Sequence, residues 1–81
     1  MGYVVKEEDS QTGEVTRRGP FVTEQEARMV LGNLVEQAYD FDPQLATANV
    51  RQEVEVAVCD GRKDCLDAKG NLICRYTVEQ E

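Results

Sequence analysis

TEQEARMVLGNLVEQAY, residues 23–39, has the most regular pattern in this chain and predicts one amphipathic helix. Thr23 and Glu26 match a capping box, in which each side chain accepts a hydrogen bond from the backbone N–H of the other. At about 100° per residue, the apolar side chains fall on one stripe, and that stripe must face a core. The stripe consists of Ala27, Val30, Leu31, Leu34, Val35 and Ala38.

The helix is expected to end near Tyr39, because Pro43 disfavours a helical conformation at Asp42. Gly32 lies inside the predicted helix, where glycine costs about 1 kcal/mol relative to alanine. A glycine there indicates either a close approach of another segment or a local weakness.

β-prone runs on both sides of the helix predict two hairpins. Before the helix, Tyr3–Lys6 and Glu14–Arg18 flank a turn at Gly13. After it, Val50–Val58 alternates with period two, and Asn71–Val78 is the expected return strand. The predicted class is therefore α+β, in the order β-β-α-β-β. One helix packs on one face of an antiparallel sheet, and the other face is open.

The second hairpin assigns side chains to the two sheet faces. The core face is expected to hold Val54, Val56, Val58, Leu72, Cys74, Tyr76 and Val78. The open face is expected to hold Glu53, Glu55, Ala57, Ile73, Arg75 and Thr77. This arrangement places Glu53 or Glu55 opposite or diagonal to Arg75, as a cross-strand ion pair. The long connection between the two strands predicts a bulge or a short additional strand around Cys65 and Leu66.

Two further predictions concern apolar residues outside these elements. In the predicted loop 40–49, Leu45 is the residue most expected to be buried under the core, and Phe41 is the next. Val22 precedes the helix cap and is expected to pack against Ala27 or its neighbours as a hydrophobic staple.

Composition limits the class of protein. The chain has 81 residues, which indicates a single domain spanning 1–81. Neither a signal peptide nor a membrane-spanning apolar run of about 20 residues is apparent, so we expect a cytoplasmic protein without a membrane partner. The net charge of −7 disfavours direct binding of nucleic acid and suits a basic protein partner.

Residue types with catalytic or metal-binding roles are scarce. The absence of histidine removes the usual general base and the usual fourth zinc ligand. Three widely spaced cysteines, Cys59, Cys65 and Cys74, do not form paired knuckles, although Cys59 and Cys65 flank a turn and could approach each other. We therefore predict no enzyme activity, no catalytic residues, no metal and no cofactor.

Candidate contact residues lie on two surfaces. On the helix, Met29 faces away from the apolar stripe among polar neighbours, and an exposed thioether suits a protein contact. The open sheet face is the second surface. The predicted partner-binding residues are Glu26, Met29, Asn33, Glu36, Glu53 and Glu55.

The overall layout resembles small acidic proteins of phages and mobile elements, among them anti-CRISPR inhibitors. The resemblance rests on size, acidity and strand–helix order, from Tyr3-Val4-Val5 through Gly19-Pro20-Phe21 and 23–27 to the turn at 69–71. It covers the whole chain as layout and matches no diagnostic motif. It implies a stoichiometric inhibitor that occupies a basic surface of a nucleic-acid-handling complex.

Three functions follow from these patterns. The first is a non-enzymatic protein-binding domain, an acidic inhibitor of a basic, nucleic-acid-binding protein. The second is a structural or regulatory homodimer formed by the open sheet face or by edge strands. The third is a small thiol or metal site at Cys59 and Cys65.

Overall fold

Four strands and two helices make up the fold of the described part of the chain. The computed structural model describes residues 2–45 and 49–81. The elements are β1 (Tyr3–Asp9), β2 (Val15–Phe21), α1 (Glu24–Phe41), α2 (Val50–Asp60), β3 (Arg62–Leu66) and β4 (Leu72–Gln80). The strands form one antiparallel sheet in the order β2-β1-β4-β3, and α1 contacts all four strands. The predicted α+β class is confirmed, with two helices among these described residues instead of the predicted one.

Helix α1 follows the prediction and extends two residues further, to Phe41. Thr23 caps its start, with Oγ1 accepting from the Glu26 N–H at 3.1 Å. Its apolar stripe faces the core as predicted. Ala27, Leu31 and Val35 are fully buried, and Val30, Leu34 and Ala38 pack around them.

The predicted strand 50–58 is wrong, because these residues form helix α2. Its valines alternate near the end, but Val50, Val54 and Val58 also recur every four residues, which places them along one side of a helix. Asn49 caps the start by accepting from the Gln52 N–H at 3.0 Å. Gly61 ends the helix in the left-handed conformation, with φ 69°.

Gly32 shows where α2 packs. A β-carbon on Gly32 would lie 2.7 Å from Val58 Cγ2 and 3.5 Å from Val54 Cγ1. Of the two interpretations of Gly32, close approach and local weakness, the structure shows a close approach, and the approaching segment is a second helix.

The second hairpin pairs β4 with β3, the short strand that the sequence allowed around Cys65 and Leu66. Asp67 forms the turn between them, since its carboxylate accepts from the backbone N–H groups of Lys69 at 2.9 Å and Asn71 at 2.8 Å. Across the sheet from α1, Arg75 pairs with Asp64 at 2.7 Å. The predicted pairing of Arg75 with Glu53 or Glu55 is therefore wrong.

A register shift changes the faces of β4. Cys65 is opposite Cys74, but Leu66 is opposite Leu72, so Ile73 is the extra residue of a bulge. Ile73 is consequently buried, with 6% of its surface exposed, and its predicted place on the open face is wrong. Tyr76 lies in the core as predicted.

Of the remaining predictions about apolar residues, one is confirmed and two are wrong. Leu45 is buried as expected, whereas Phe41 is 82% exposed because α1 carries it past the end of the core. Val22 is 81% exposed, so the predicted staple is wrong, and Phe21 packs against the core in its place. Residues 46–48 of the predicted loop lie outside the described residues.

Candidate functional site

The two faces of the molecule carry charge differently. The helix layer, α1 and α2, contains many carboxylates but only two basic residues, Arg28 and Arg51. Its acidic residues are Glu24, Glu26, Glu36, Asp40, Glu53, Glu55 and Asp60. Arg28 is already engaged, because it binds Glu24 at 2.7 Å and donates to the backbone oxygen of Cys59 at 2.6 Å. Most of the acidic surplus of the chain therefore belongs to the helix layer.

The open sheet face is a network of ion pairs. Asp64 lies between Arg75 at 2.7 Å and Arg62 at 3.6 Å. Hydrogen bonding from Arg75 lowers the pKa of Asp64 and raises the pKa of Arg75. The same face pairs Arg17 with Glu79 at 3.7 Å, Lys6 with Glu79 at 3.9 Å, and Lys6 with Glu8 at 3.3 Å. Its cations and carboxylates thus neutralise one another locally.

The outward side of α1 carries a continuous polar row, which we call the acidic stripe: Glu26, Met29, Asn33, Glu36 and Asp40. Successive members are three or four residues apart, so they lie on one helix face. Met29 is 51% exposed within this row. Among the described residues, no basic group pairs with the carboxylates of the stripe, so their charge is available to a partner.

Glu26 contributes to the stripe because its capping box is only half formed. Its backbone N–H donates to Thr23, but no hydrogen bond from Thr23 to the Glu26 carboxylate forms between the described residues. The predicted reciprocal bond is therefore not made, and the carboxylate faces outward.

Helix α2 extends the stripe into a groove. A depression of about 530 Å³, which we call the helix groove, lies between the second half of α1 and the first half of α2. Its lining is Glu36, Asp40, Val50, Arg51, Val54 and Glu55. Valine side chains give it an apolar lining, and carboxylates from both helices surround them. Arg51 is paired at 3.4 Å with Glu55, an exposed pair that contributes little.

The predicted contact residues separate into two groups. Glu26, Met29, Asn33 and Glu36 share the acidic stripe, and Glu55 joins Glu36 in the helix groove. Glu53 alone forms the second group, since its carboxylate binds Lys63 of β3.

The predicted place of Glu53 and Glu55 on the open sheet face is therefore wrong, because both belong to α2. Sequence reasoning missed Asp40, Val50 and Val54 as surface-forming residues. The four-residue spacing between Glu36 and Asp40 was the available signal.

The cysteines do not gather as the sequence allowed. Cys59 is exposed on α2, whereas Cys65 is buried beneath the helices and contacts Cys74. Within residues 2–45 and 49–81, no group of three or more cysteine or acidic side chains is arranged to hold a metal ion. In the same ranges, no helix is both long and apolar enough to cross a membrane.

Comparison of the chain with protein-family models, curated proteins and solved structures gave no match. The functional assignment therefore depends on the surfaces described above.

Proposed function

We propose that this chain is a non-enzymatic protein-binding domain that captures a basic protein surface with its helix layer. The observation that carries the proposal is the uneven distribution of charge. Among the described residues, carboxylates of the acidic stripe and helix groove have no basic partner or a weak, exposed one, whereas the cations of the open sheet face are paired. A basic surface would therefore be attracted to the helix side of the molecule.

The proposed partner is a nucleic-acid-binding protein, and the chain acts as its inhibitor by occupying the basic surface that nucleic acid would use. Complementary charge accelerates encounter and fixes orientation more than it adds affinity. Apolar anchors supply the rest, and Met29, Val50 and Val54 are placed among the carboxylates to do so. Binding should therefore weaken as salt screens the charges.

The test uses two variants that change net charge equally. Glu36→Lys with Glu55→Lys reverses charge in the helix groove. Glu14→Lys with Glu81→Lys reverses two exposed carboxylates outside the helices. Each protein is immobilised, and the proteins it retains from lysate at low and high salt are identified by mass spectrometry.

We expect the wild type and the second variant to retain the same basic proteins at low salt. The groove variant should lose them. Retention that is unaffected by salt, or lost equally in both variants, would reject a localised acidic site. The retained protein is then assayed for nucleic-acid binding, which an inhibitor that occupies its basic surface abolishes.

A homodimer through sheet edges is the second candidate, and the outer strands bear on it. Strand β2 carries Arg17, Arg18 and Pro20, features that oppose pairing with another strand. Strand β3 at the other edge has five residues. The edges thus give less support to self-association than the helix layer gives to a basic partner. Light scattering after size exclusion distinguishes a monomer from a dimer.

A further inference from the structure

Cys65 of β3 and Cys74 of β4 are direct partners in the antiparallel register. Residues that face each other in such a pair have Cα atoms about 4.5–5.5 Å apart. Disulfides span Cα separations of about 4.4–6.8 Å, so the backbone already has a spacing that a disulfide accepts. The neighbouring pair Asp64–Arg75 lies on the open sheet face, so the two thiols point toward the helices.

The two thiols differ in access. Cys65 is fully buried in the core, whereas Cys74 is half-buried and lines a cleft of about 350 Å³. The cleft opens between the end of α1 and the first hairpin, where Ala38, Phe41 and Glu7 also line it. A small reagent that enters the cleft reaches Cys74 first and finds Cys65 directly behind it.

Hydrogen bonding distinguishes the thiols in the same direction. The Cys65 thiol donates to the Cys74 sulfur, which lowers the pKa of Cys74 and raises the pKa of Cys65. The Tyr76 hydroxyl also donates to Cys74 and further favours its thiolate. The thiolate is the reactive form of cysteine, so the accessible sulfur is also the better nucleophile.

We propose that Cys74 and Cys65 form a peroxide-sensitive thiol pair, in which Cys74 is oxidised and Cys65 resolves it to an intramolecular disulfide. The Cys74 thiolate attacks one oxygen of hydrogen peroxide and the O–O bond breaks. The departing hydroxide takes up a proton to give water, which leaves Cys74 as a sulfenic acid. The Cys65 sulfur then attacks the Cys74 sulfur, the S–O bond breaks, and hydroxide leaves with the Cys65 proton as a second water. The thiols lose two electrons, and the peroxide gains them.

The arrangement of lysines and arginines makes the product easy to identify. Trypsin cleaves after Arg62, Lys63, Lys69 and Arg75, so Cys65 and Cys74 fall in the separate peptides 64–69 and 70–75. Cys59 falls in a third peptide, 52–62. Reduced protein is exposed to hydrogen peroxide, free thiols are blocked with N-ethylmaleimide, and the tryptic peptides are analysed by mass spectrometry.

We expect the main product to be peptide 64–69 linked to peptide 70–75, with Cys59 recovered in its blocked form. The Cys59→Ser variant should give the same linked product at the same rate. In Cys65→Ser the linked product should be lost, and dimedone should trap the sulfenic acid on Cys74.

Recovery of Cys74 as the fully blocked thiol after peroxide would overturn the proposal. Disulfides that all involve Cys59 would also overturn it. The wild type and Cys59→Ser are sufficient for this decision, so it does not depend on whether a substitution at the buried Cys65 still folds.

Discussion

Gly32 of α1 and Val58 of α2 are in such close contact that an added β-carbon on Gly32 would lie 2.7 Å from Val58 Cγ2. The packing of α2 on α1 therefore depends on a missing side chain. The position of α2, and with it the helix groove, follows from this contact.

Substitution Gly32→Ala tests this contact. Alanine is a better helix former by about 1 kcal/mol, but crowding a packed interface costs about 1–3 kcal/mol. We expect a net loss of up to ~2 kcal/mol in the free energy of unfolding, measured with urea. The double variant Gly32→Ala with Val58→Ala removes the clashing methyl groups and should be less than additive. A single variant more stable than wild type would contradict the observed packing.

Arg28 links the two helices, and its removal should be costly. Its guanidinium binds Glu24 and donates to the carbonyl oxygens of Val58 and Cys59 at the end of α2, where positive charge is favourable. We expect Arg28→Ala to reduce the free energy of unfolding by about 1–3 kcal/mol, because hydrogen bonds to charged groups are of that size. Arg51→Ala is the matched control, since Arg51 is 91% exposed and should change stability little. Equal effects would show that Arg28 does not join the helices.

The Asp64–Arg75 pair should make stability depend on acid. Hydrogen bonding from Arg75 lowers the pKa of Asp64 below its ordinary 3.8. A carboxylate with a lowered folded-state pKa stabilises the fold above its unfolded pKa, and this contribution is lost as pH falls through the folded value. Asp64→Asn should therefore be less stable than wild type at neutral pH, and the difference should shrink below pH 3.8. Thermal unfolding across this range measures it, and a difference constant with pH would contradict the assignment.

Glu53 and Glu55 should behave differently even though the sequence makes them look equivalent. The Glu53 carboxylate binds Lys63, whose side chain is 16% exposed, so Glu53→Gln should cost about 1–3 kcal/mol of stability. Glu55 lines the helix groove, and Glu55→Gln should leave stability nearly unchanged but weaken capture of a basic partner. Urea unfolding and the binding assay are run on both variants. The opposite assignment of the two losses would show that Glu53 belongs to the contact surface.

Oxidation of the thiol pair in the sheet tests whether it affects binding by the helix layer. Because Cys65 and Cys74 lie on the core side of the sheet and the acidic stripe faces outward, the Cys65–Cys74 disulfide should leave partner capture unchanged. The same pull-down measures this with peroxide-treated protein before and after reduction by dithiothreitol, which opens the disulfide but leaves a sulfoxide on the exposed Met29 unchanged. A loss of capture that dithiothreitol reverses would mean that the thiol pair and the helix layer are coupled.

The sequence pattern alone was enough to predict an element where one hydrophobic period was dominant and a helix-capping residue lay next to it. Thr23 and the apolar stripe ending at Ala38 have no competing interpretation, so α1 and its buried face could be predicted. The proposed contact residues Glu26, Met29, Asn33 and Glu36 could be predicted to share one helix face for the same reason. Asp40 completes that face but was missed because the predicted helix ended at Tyr39, one residue before it, whereas α1 continues to Phe41.

Neighbours in sequence were enough to predict the first hairpin, helix α1 and strand β4, and composition alone gives the acidic character of the chain. For residues 50–58, the choice between strand and helix depends on long-range packing, because the valines satisfy both periods and the space beside Gly32 selects the helix. As a result, Glu53 and Glu55 lie in the helix layer instead of the predicted sheet, and the return strand β4 pairs with β3. The bulge at Ile73 and the meeting of Cys65 with Cys74 are likewise consequences of register, which long-range pairing fixes.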